Sequence, residues 1–249
     1  RVPIAQSIVN TVANLMPKRP RQSNNLVTSS EIQAVLDASG FAYTDQWGPG
    51  ASEFTAQLCE NWQEAGKKII FLPQAFGPFR SLRIRRAISK ITASADLMFA
   101  RDRTSYKYLL ELAEDPSRIH LAPDFTNILD GEMPDCYQAL QYRPCIIPNH
   151  KMVSKNSKIT PKTYCSFLAN CVDYLFAQGL EPFVLIHATG EDAELAESLQ
   201  TQVRPRIEIV QESNPLFIKG IIDSCLMVIG ARFHGLVSSL SQAIPSLGT

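Results

Sequence analysis

This chain of 249 residues has no excess of charge of either sign: 24 Lys and Arg stand against 24 Asp and Glu. Proteins that grip polyanions need a cationic surface, so nothing general points to nucleic acid. No zinc spacing and no regular aromatic–basic interleaving adds to that case. No apolar run is long enough to cross a bilayer, and no signal-peptide pattern opens the chain, so the cytoplasm is the default compartment. The six cysteines (Cys59, Cys136, Cys145, Cys165, Cys171 and Cys225) form no CxxC pair. Several lie among apolar residues and read as buried thiols rather than disulfides or zinc ligands. No Gly-x-Gly-x-x-Gly follows a predicted strand, which removes the fingerprint of a dinucleotide oxidoreductase. No metal cluster or cofactor is expected.

What is present is an alternation of short apolar runs and helical periods. Pro3 to Leu15 predicts a helix, with Ile4, Ile8, Val12 and Leu15 on one side, and Met16 to Asn25 a basic, proline-containing loop. Ser29 or Ser30 can cap a helix running through Ala38, and Phe41 to Thr44 is a short strand candidate. Ala51 to Ala65 repeats Phe54, Leu58 and Trp62 at helical spacing, and Lys67 to Leu72 follows as a strand. A basic helix comes next, carrying Arg80, Arg83, Arg85, Arg86 and Lys90. It reads as a solvated face, or as a surface for an anionic substrate or a membrane. Strands at Leu97–Ala100 and Ile119–Ala122 flank another helix. This rhythm predicts an α/β fold with a parallel sheet covered on both faces.

Residues 130–143 lack a sustained period and contain Gly131 and Pro134, with Pro144 just after. The expected domains are therefore 1–135 and 145–249, joined by a connection at 136–144. The second series has strands at Cys145–Ile147, Phe183–Ile186 and Ile207–Val210, with helices at Lys162–Ala177 and Ala193–Leu199. The ends are abrupt, and a longer protein is expected around this chain.

The most informative stretch is the last. Asn214 can cap a helix that begins with Pro215, and Leu226 to Ile229 reads as a buried strand. Gly230 ends that strand, and a helix starts near Gly235. Arg232 and His234 thus fall at a strand's carboxyl end, before a helix N-terminus, where open α/β sheets place anionic ligands.

With these residues in view, the chain resembles the polysaccharide pyruvyl transferase family. The segment Ile229-Gly-Ala-Arg-Phe-His-Gly-Leu-Val-Ser-Ser-Leu-Ser-Gln-Ala-Ile-Pro245 looks like that family's Arg-x-His-Gly motif and following helix. Supporting matches are Gly40-Phe-Ala-Tyr-Thr-Asp45, Leu72-Pro-Gln-Ala-Phe-Gly-Pro78, Arg101-Asp-Arg-Thr-Ser105, Pro123-Asp124 and His187-Ala-Thr-Gly-Glu-Asp192, in the expected order. The resemblance implies two Rossmann-like domains of the GT-B type, here truncated. It also implies transfer of a pyruvyl group from phosphoenolpyruvate to sugar hydroxyls, usually as a cyclic ketal, in the synthesis of exopolysaccharide or cell-surface glycan. The implied partners are phosphoenolpyruvate and a free or lipid-linked glycan, at the inner face of the membrane or in the cytoplasm.

Phosphoenolpyruvate carries a phosphate and a carboxylate, which guanidinium groups hold by paired, charge-assisted hydrogen bonds. Arg232 is the first expected phosphate ligand, helped by N–H groups near Gly235; the resemblance puts Arg101 forward as a second arginine. His234 is expected to assist the leaving phosphate. Asp124 and Asp102 are candidate acid–base groups or caps. Asp45 and Gln74 are candidates for sugar hydroxyls, and His187 and Asp192 for substrate contact or loop ordering. A GT-B glycosyltransferase using a nucleotide sugar and a noncatalytic carbohydrate-binding protein are the alternatives.

Overall fold

The structure is a computed structural model that describes residues 17–23, 27–154, 158–187 and 190–249. The chain divides into two units, Arg1–Phe125 and Thr126–Thr249. The helix expected over Pro3–Leu15 lies outside the described residues.

In the first unit, four parallel strands lie side by side in chain order: β1 (Ala34–Asp37), β2 (Lys68–Gln74), β3 (Leu97–Ala100) and β4 (Ile119–Leu121). Helices α2 (Gly50–Glu64), α3 (Leu82–Ser94) and α4 (Arg103–Leu110) make the crossovers, and a short α1 covers Lys18–Ser23. Strands that advance in one direction through right-handed crossovers place all their helices on one face. Burial therefore alternates: Ile69, Phe71, Met98 and Ala100 are buried, whereas Ile70, Leu72, Leu97 and Phe99 are half-buried. Tyr43, Phe71 and Phe76 pack at the centre, with ring centroids 5.8–6.5 Å apart.

Three local expectations are corrected here. Residues 18–23 are helical where a loop was expected. The helix expected from Ser29 or Ser30 through Ala38 is a single 3-10 turn, Ser29–Glu31, followed by β1. Glu31 reaches back to the Thr28 N–H at 2.8 Å and meets Arg21 Nη1 at 2.5 Å, which completes the turn without a helix to continue it. Pairing of Ala34–Asp37 with Lys68–Phe71 then outweighs local helical preference. Because β1 takes the place beside β2, Phe41–Thr44 is no strand; one bridge joins Tyr43 to Phe76.

The basic helix α3 packs on α2, and three of its cations lie beside carboxylates. Arg83 meets Glu53 at 2.7 Å, Lys90 meets Glu60 at 2.8 Å, and Arg85 is 3.9 Å from Glu111. These pairs are solvent-exposed, so each contributes little stability.

The second unit has five parallel strands in the order β7-β6-β5-β8-β9: β5 (Pro144–Ile147), β6 (Phe183–Ile186), β7 (Glu208–Gln211), β8 (Met227–Gly230) and β9 (Ser246–Gly248). Its helices are α5 (Lys151–Ser154), α6 (Pro161–Ala177), α7 (Glu191–Gln200), α8 (Pro215–Asp223) and α9 (Phe233–Ser241). The strands advance from β5 to β7, then return to β5's other edge for β8. That reversal puts helices on both faces, and β5 and β6 are buried at every position. Ile146, Val184 and Ile186 join Leu168, Val172 and Leu195 in one core, while Cys145, Ile147, Phe183 and Leu185 join Ile218, Ile221 and Ile222 in the other. This two-sided burial is why these strands read as unbroken apolar runs. Asn214 caps α8 as its position predicts, accepting from the Leu216 N–H at 3.0 Å.

Residues 126–144, which include the stretch expected to join the domains, belong to the second unit. Glu132 N–H donates to Leu216 carbonyl at 2.9 Å and Lys219 Nζ to Thr126 carbonyl at 2.7 Å. The chain here crosses α8 backbone to backbone. A Cβ on Gly220 would overlap the Glu132 carbonyl, and one on Gly131 would overlap the Gly220 nitrogen.

Candidate functional site

The reversal of strand order at β5 leaves a crevice between the carboxyl ends of β5 and β8, where doubly wound sheets bind ligands. Arg232 stands at the β8 end as the N-cap residue of α9, with extended backbone and no side-chain cap bond. Close approach of the two strands needs Gly230, because a Cβ there would press against the Ile147 carbonyl oxygen at 2.7 Å. Gly235, in the first turn of α9, is buried against Ile147 and the Arg232 side chain. From the β5 side, Asn149 donates from Nδ2 to the Ala231 carbonyl at 3.0 Å and accepts the Lys151 N–H at 3.1 Å.

Asp192, in the first turn of α7, has no solvent exposure. Its Oδ1 accepts the His150 N–H at 2.9 Å, and its Oδ2 accepts from Nη2 of Arg232. The Arg232 side chain is only 19% exposed, and its Nε–H is buried with no hydrogen-bond partner among the described residues. A buried unsatisfied donor is costly, and an anion would satisfy it. His234 is exposed and stands edge-on to Phe233, centroids 5.3 Å apart.

His187 follows β6, half-buried. Burial pushes its imidazole below the ordinary 6.5; the charges of Arg232 and His234 push the same way, and Asp192 opposes them. A histidine depressed in the fold takes up protons more readily when unfolded. Its contribution to stability is therefore complete above the ordinary value and lost as pH falls below it. The thermal midpoint should fall between about pH 7 and pH 5, and His187→Gln should flatten that limb. An acid limb as steep in the variant would remove His187 from the cause.

In the first unit the strand ends carry a second polar set. Arg101, after β3, donates from Nη1 to Asp124 Oδ2 at 3.2 Å; their side chains are 11% and 6% exposed. Asp102 caps α4, accepting the Ser105 N–H at 2.8 Å and the Ser105 hydroxyl at 2.7 Å. Asp45 holds the approach to α3, accepting the Arg80 N–H at 2.6 Å and the Ser81 N–H at 3.0 Å. Gln74 is fully buried and donates from Nε2 to Asp37 Oδ1 at 2.8 Å. Tyr43 donates to Asp37 Oδ2 at 2.8 Å, and burial pushes its phenol above the ordinary range.

A family model described as polysaccharide pyruvyl transferase matches residues 6–249. The chain belongs to that family. The fold of this pyruvyl transferase family member is shared with GT-B-like solved structures. It is similar to MnaA of S. aureus with UDP, at a TM-score of 0.52 and 13% identity over 97% of this chain and 61% of that one. It is similar to Anabaena Alr3699/HepE in complex with UDP-glucose, at 0.52 and 12% over 95% and 64%. It is also similar to UDP-GlcNAc 2-epimerase from Neisseria meningitidis bound to UDP-GlcNAc, at 0.51 and 10% over 98% and 63%. The chain thus spans about three fifths of the length of the solved structures it matches. No described helix is long and apolar enough to cross a membrane.

Of the residues singled out from sequence, the second unit brings together Arg232, Asp192, His187, His234 and Gly235, and the first brings together Arg101 and Asp124. Asp102 and Asp45 serve as caps within the first unit, and Gln74 braces Asp37 through Nε2 while its buried Oε1 has no hydrogen-bond partner among the described residues. Sequence reasoning passed over Asn149 and His150, which follow β5 as Arg232 follows β8. The signal was available: Pro148-Asn149-His150 ends an apolar run, the same cue that singled out Arg232.

Proposed function

We propose that this protein transfers a pyruvyl group from phosphoenolpyruvate to two hydroxyls of a sugar, as a step in making exopolysaccharide or another cell-surface glycan. The second unit is the donor-binding domain in this reading. The observation that carries it is Arg232: a guanidinium braced by a buried carboxylate, with an Nε–H that has no partner among the described residues, at a helix start beside the switch point of the sheet. Such a group suits a phosphate or carboxylate. Family membership supports phosphoenolpyruvate as the donor.

The chemistry balances without a redox partner. A proton adds to the methylene carbon of phosphoenolpyruvate, one sugar oxygen bonds to the central carbon and loses its proton, and the carbon–oxygen bond to phosphate breaks. The second hydroxyl then bonds to the same carbon and gives up its proton, closing the ketal; of the two hydroxyl protons one balances that added to the methylene carbon and the other leaves with inorganic phosphate. His234, two residues from Arg232, donates a proton or hydrogen bond to the departing phosphate. In the first unit, Arg101 held by Asp124 is the corresponding strand-end cation, and Asp102 serves as a cap with both oxygens bound by Ser105.

Incubation with phosphoenolpyruvate and free or lipid-linked glycans should give a pyruvylated sugar by mass spectrometry together with phosphate. Consumption of a nucleotide sugar with nucleotide release would replace this reading by glycosyl transfer. Glycan binding with neither donor consumed would replace it by a noncatalytic role. His234→Ala should lower turnover by about a hundred-fold or more while leaving donor affinity nearly unchanged. Initial rates and calorimetry on the same preparation separate the two effects; an equal loss in both would make His234 a binding group.

A further inference from the structure

We infer that Asp192 is the positioning residue of the anion site: it sets the orientation of the Arg232 guanidinium before any ligand arrives, and it does not touch the ligand itself. This rests on the reading of Arg232 as an anion ligand.

Asp192 is wholly enclosed, so a substrate hydroxyl or phosphate has no route to its oxygens. Both oxygens are already committed, one to the His150 backbone after β5 and the other to Arg232 after β8. The carboxylate, carried on the helix after β6, therefore ties together the ends of three neighbouring strands at the point where strand order reverses.

Burying a charge pair is seldom the best way to stabilise a fold, because desolvation offsets most of the attraction. What such a pair supplies is geometry. An arginine side chain has many rotamers, and fixing its planar fork in advance removes that ordering cost from ligand binding. The pairing through Nη2 leaves Nε–H buried and without a partner among the described residues, so the fork is held with a donor in reserve.

Asp192→Asn tests this with little change of shape. The amide has one acceptor oxygen where two donors need acceptors, so either Arg232 or the His150 N–H faces an N–H group. In the ligand-free wild-type protein, nitrogen NMR of the Arg232 guanidinium, assigned by its loss in Arg232→Lys, should show separate Nη signals because the carboxylate blocks rotation. Inorganic phosphate should shift its Nε–H. In Asp192→Asn the Nη signals should average, and phosphate affinity should fall by about ten-fold, the scale of one charge-assisted hydrogen bond. Averaged signals in the wild type, or phosphate affinity within two-fold of wild type in Asp192→Asn, would overturn the inference. If Asp192→Asn fails to fold, the wild-type spectrum decides alone. Separate Nη signals and a phosphate-shifted Nε–H in a protein that never forms a pyruvylated sugar would sink the donor assignment and leave this pairing standing.

Discussion

Arg232→Ala should lower the rate of pyruvyl transfer by roughly a hundred- to a thousand-fold and weaken binding of phosphoenolpyruvate. Two effects combine. The donor loses a charged partner whose strength grows as phosphate charge develops, and the Asp192 carboxylate keeps only the His150 N–H as a partner among the described residues. Stranding a buried charge costs about 3–5 kcal/mol, so a lower thermal midpoint is expected as well. Rates must therefore be taken on protein shown to be folded by circular dichroism at the assay temperature. Arg232→Lys separates the two effects. It keeps the cation near Asp192 and should recover much of the stability, yet it cannot offer a planar fork and should stay slow. Wild-type kinetics from a folded Arg232→Ala protein would remove Arg232 from the site.

A large effect on folding is also expected away from the chemistry, at Gly220. Gly220→Ala places a methyl group on the Glu132 carbonyl, and both partners there are backbone, with no flexible side chain to yield. The helix must shift or the crossing segment must lift. A cost of about 3 kcal/mol or more is expected, a large share of an ordinary domain's stability. Denaturant melts of wild type and variant would measure it. Gly179→Ala is the control: its Cβ meets nothing within 4 Å, but its φ of +74° carries its own backbone strain. The Gly220 variant should therefore lose clearly more stability than the Gly179 variant; equal losses would show that the crossing can relax.

Much of this architecture was legible because the second sheet is buried on both faces. Phe183–Ile186 and Leu226–Ile229 are apolar runs of strand length, and the structure returns strands at Phe183–Ile186 and Met227–Gly230. The first sheet was harder at its edge. In Ala34-Val35-Leu36-Asp37 the alternation is exposed and half-buried, so no clear period marks the strand, and only pairing with β2 decides it. Ser29 and Ser30 look like the start of a helix, but the cap is Thr28 with Glu31, a geometry that also closes a single turn. At the site, strand-end position was readable for Arg232, Arg101 and Asp124. Burial was not: nothing in the order of letters shows that Asp192 and Gln74 have no access to solvent while His234 is exposed. Those differences arise from how α7, β1 and α9 pack, and they decide which group meets a ligand and which holds another in place.

The position of β5 also bears on how the protein is made. Its partner β6 follows after the short α5 and the longer α6, but its other edge stays bare until β8 has been synthesised and returned across the sheet. For that interval a nascent chain offers a wholly apolar strand with open amides, a template for pairing with the wrong neighbour. Production of this protein should therefore respond to chaperone supply and to temperature during synthesis, and the crevice that holds Arg232 can form only when that last gap in the sheet is closed.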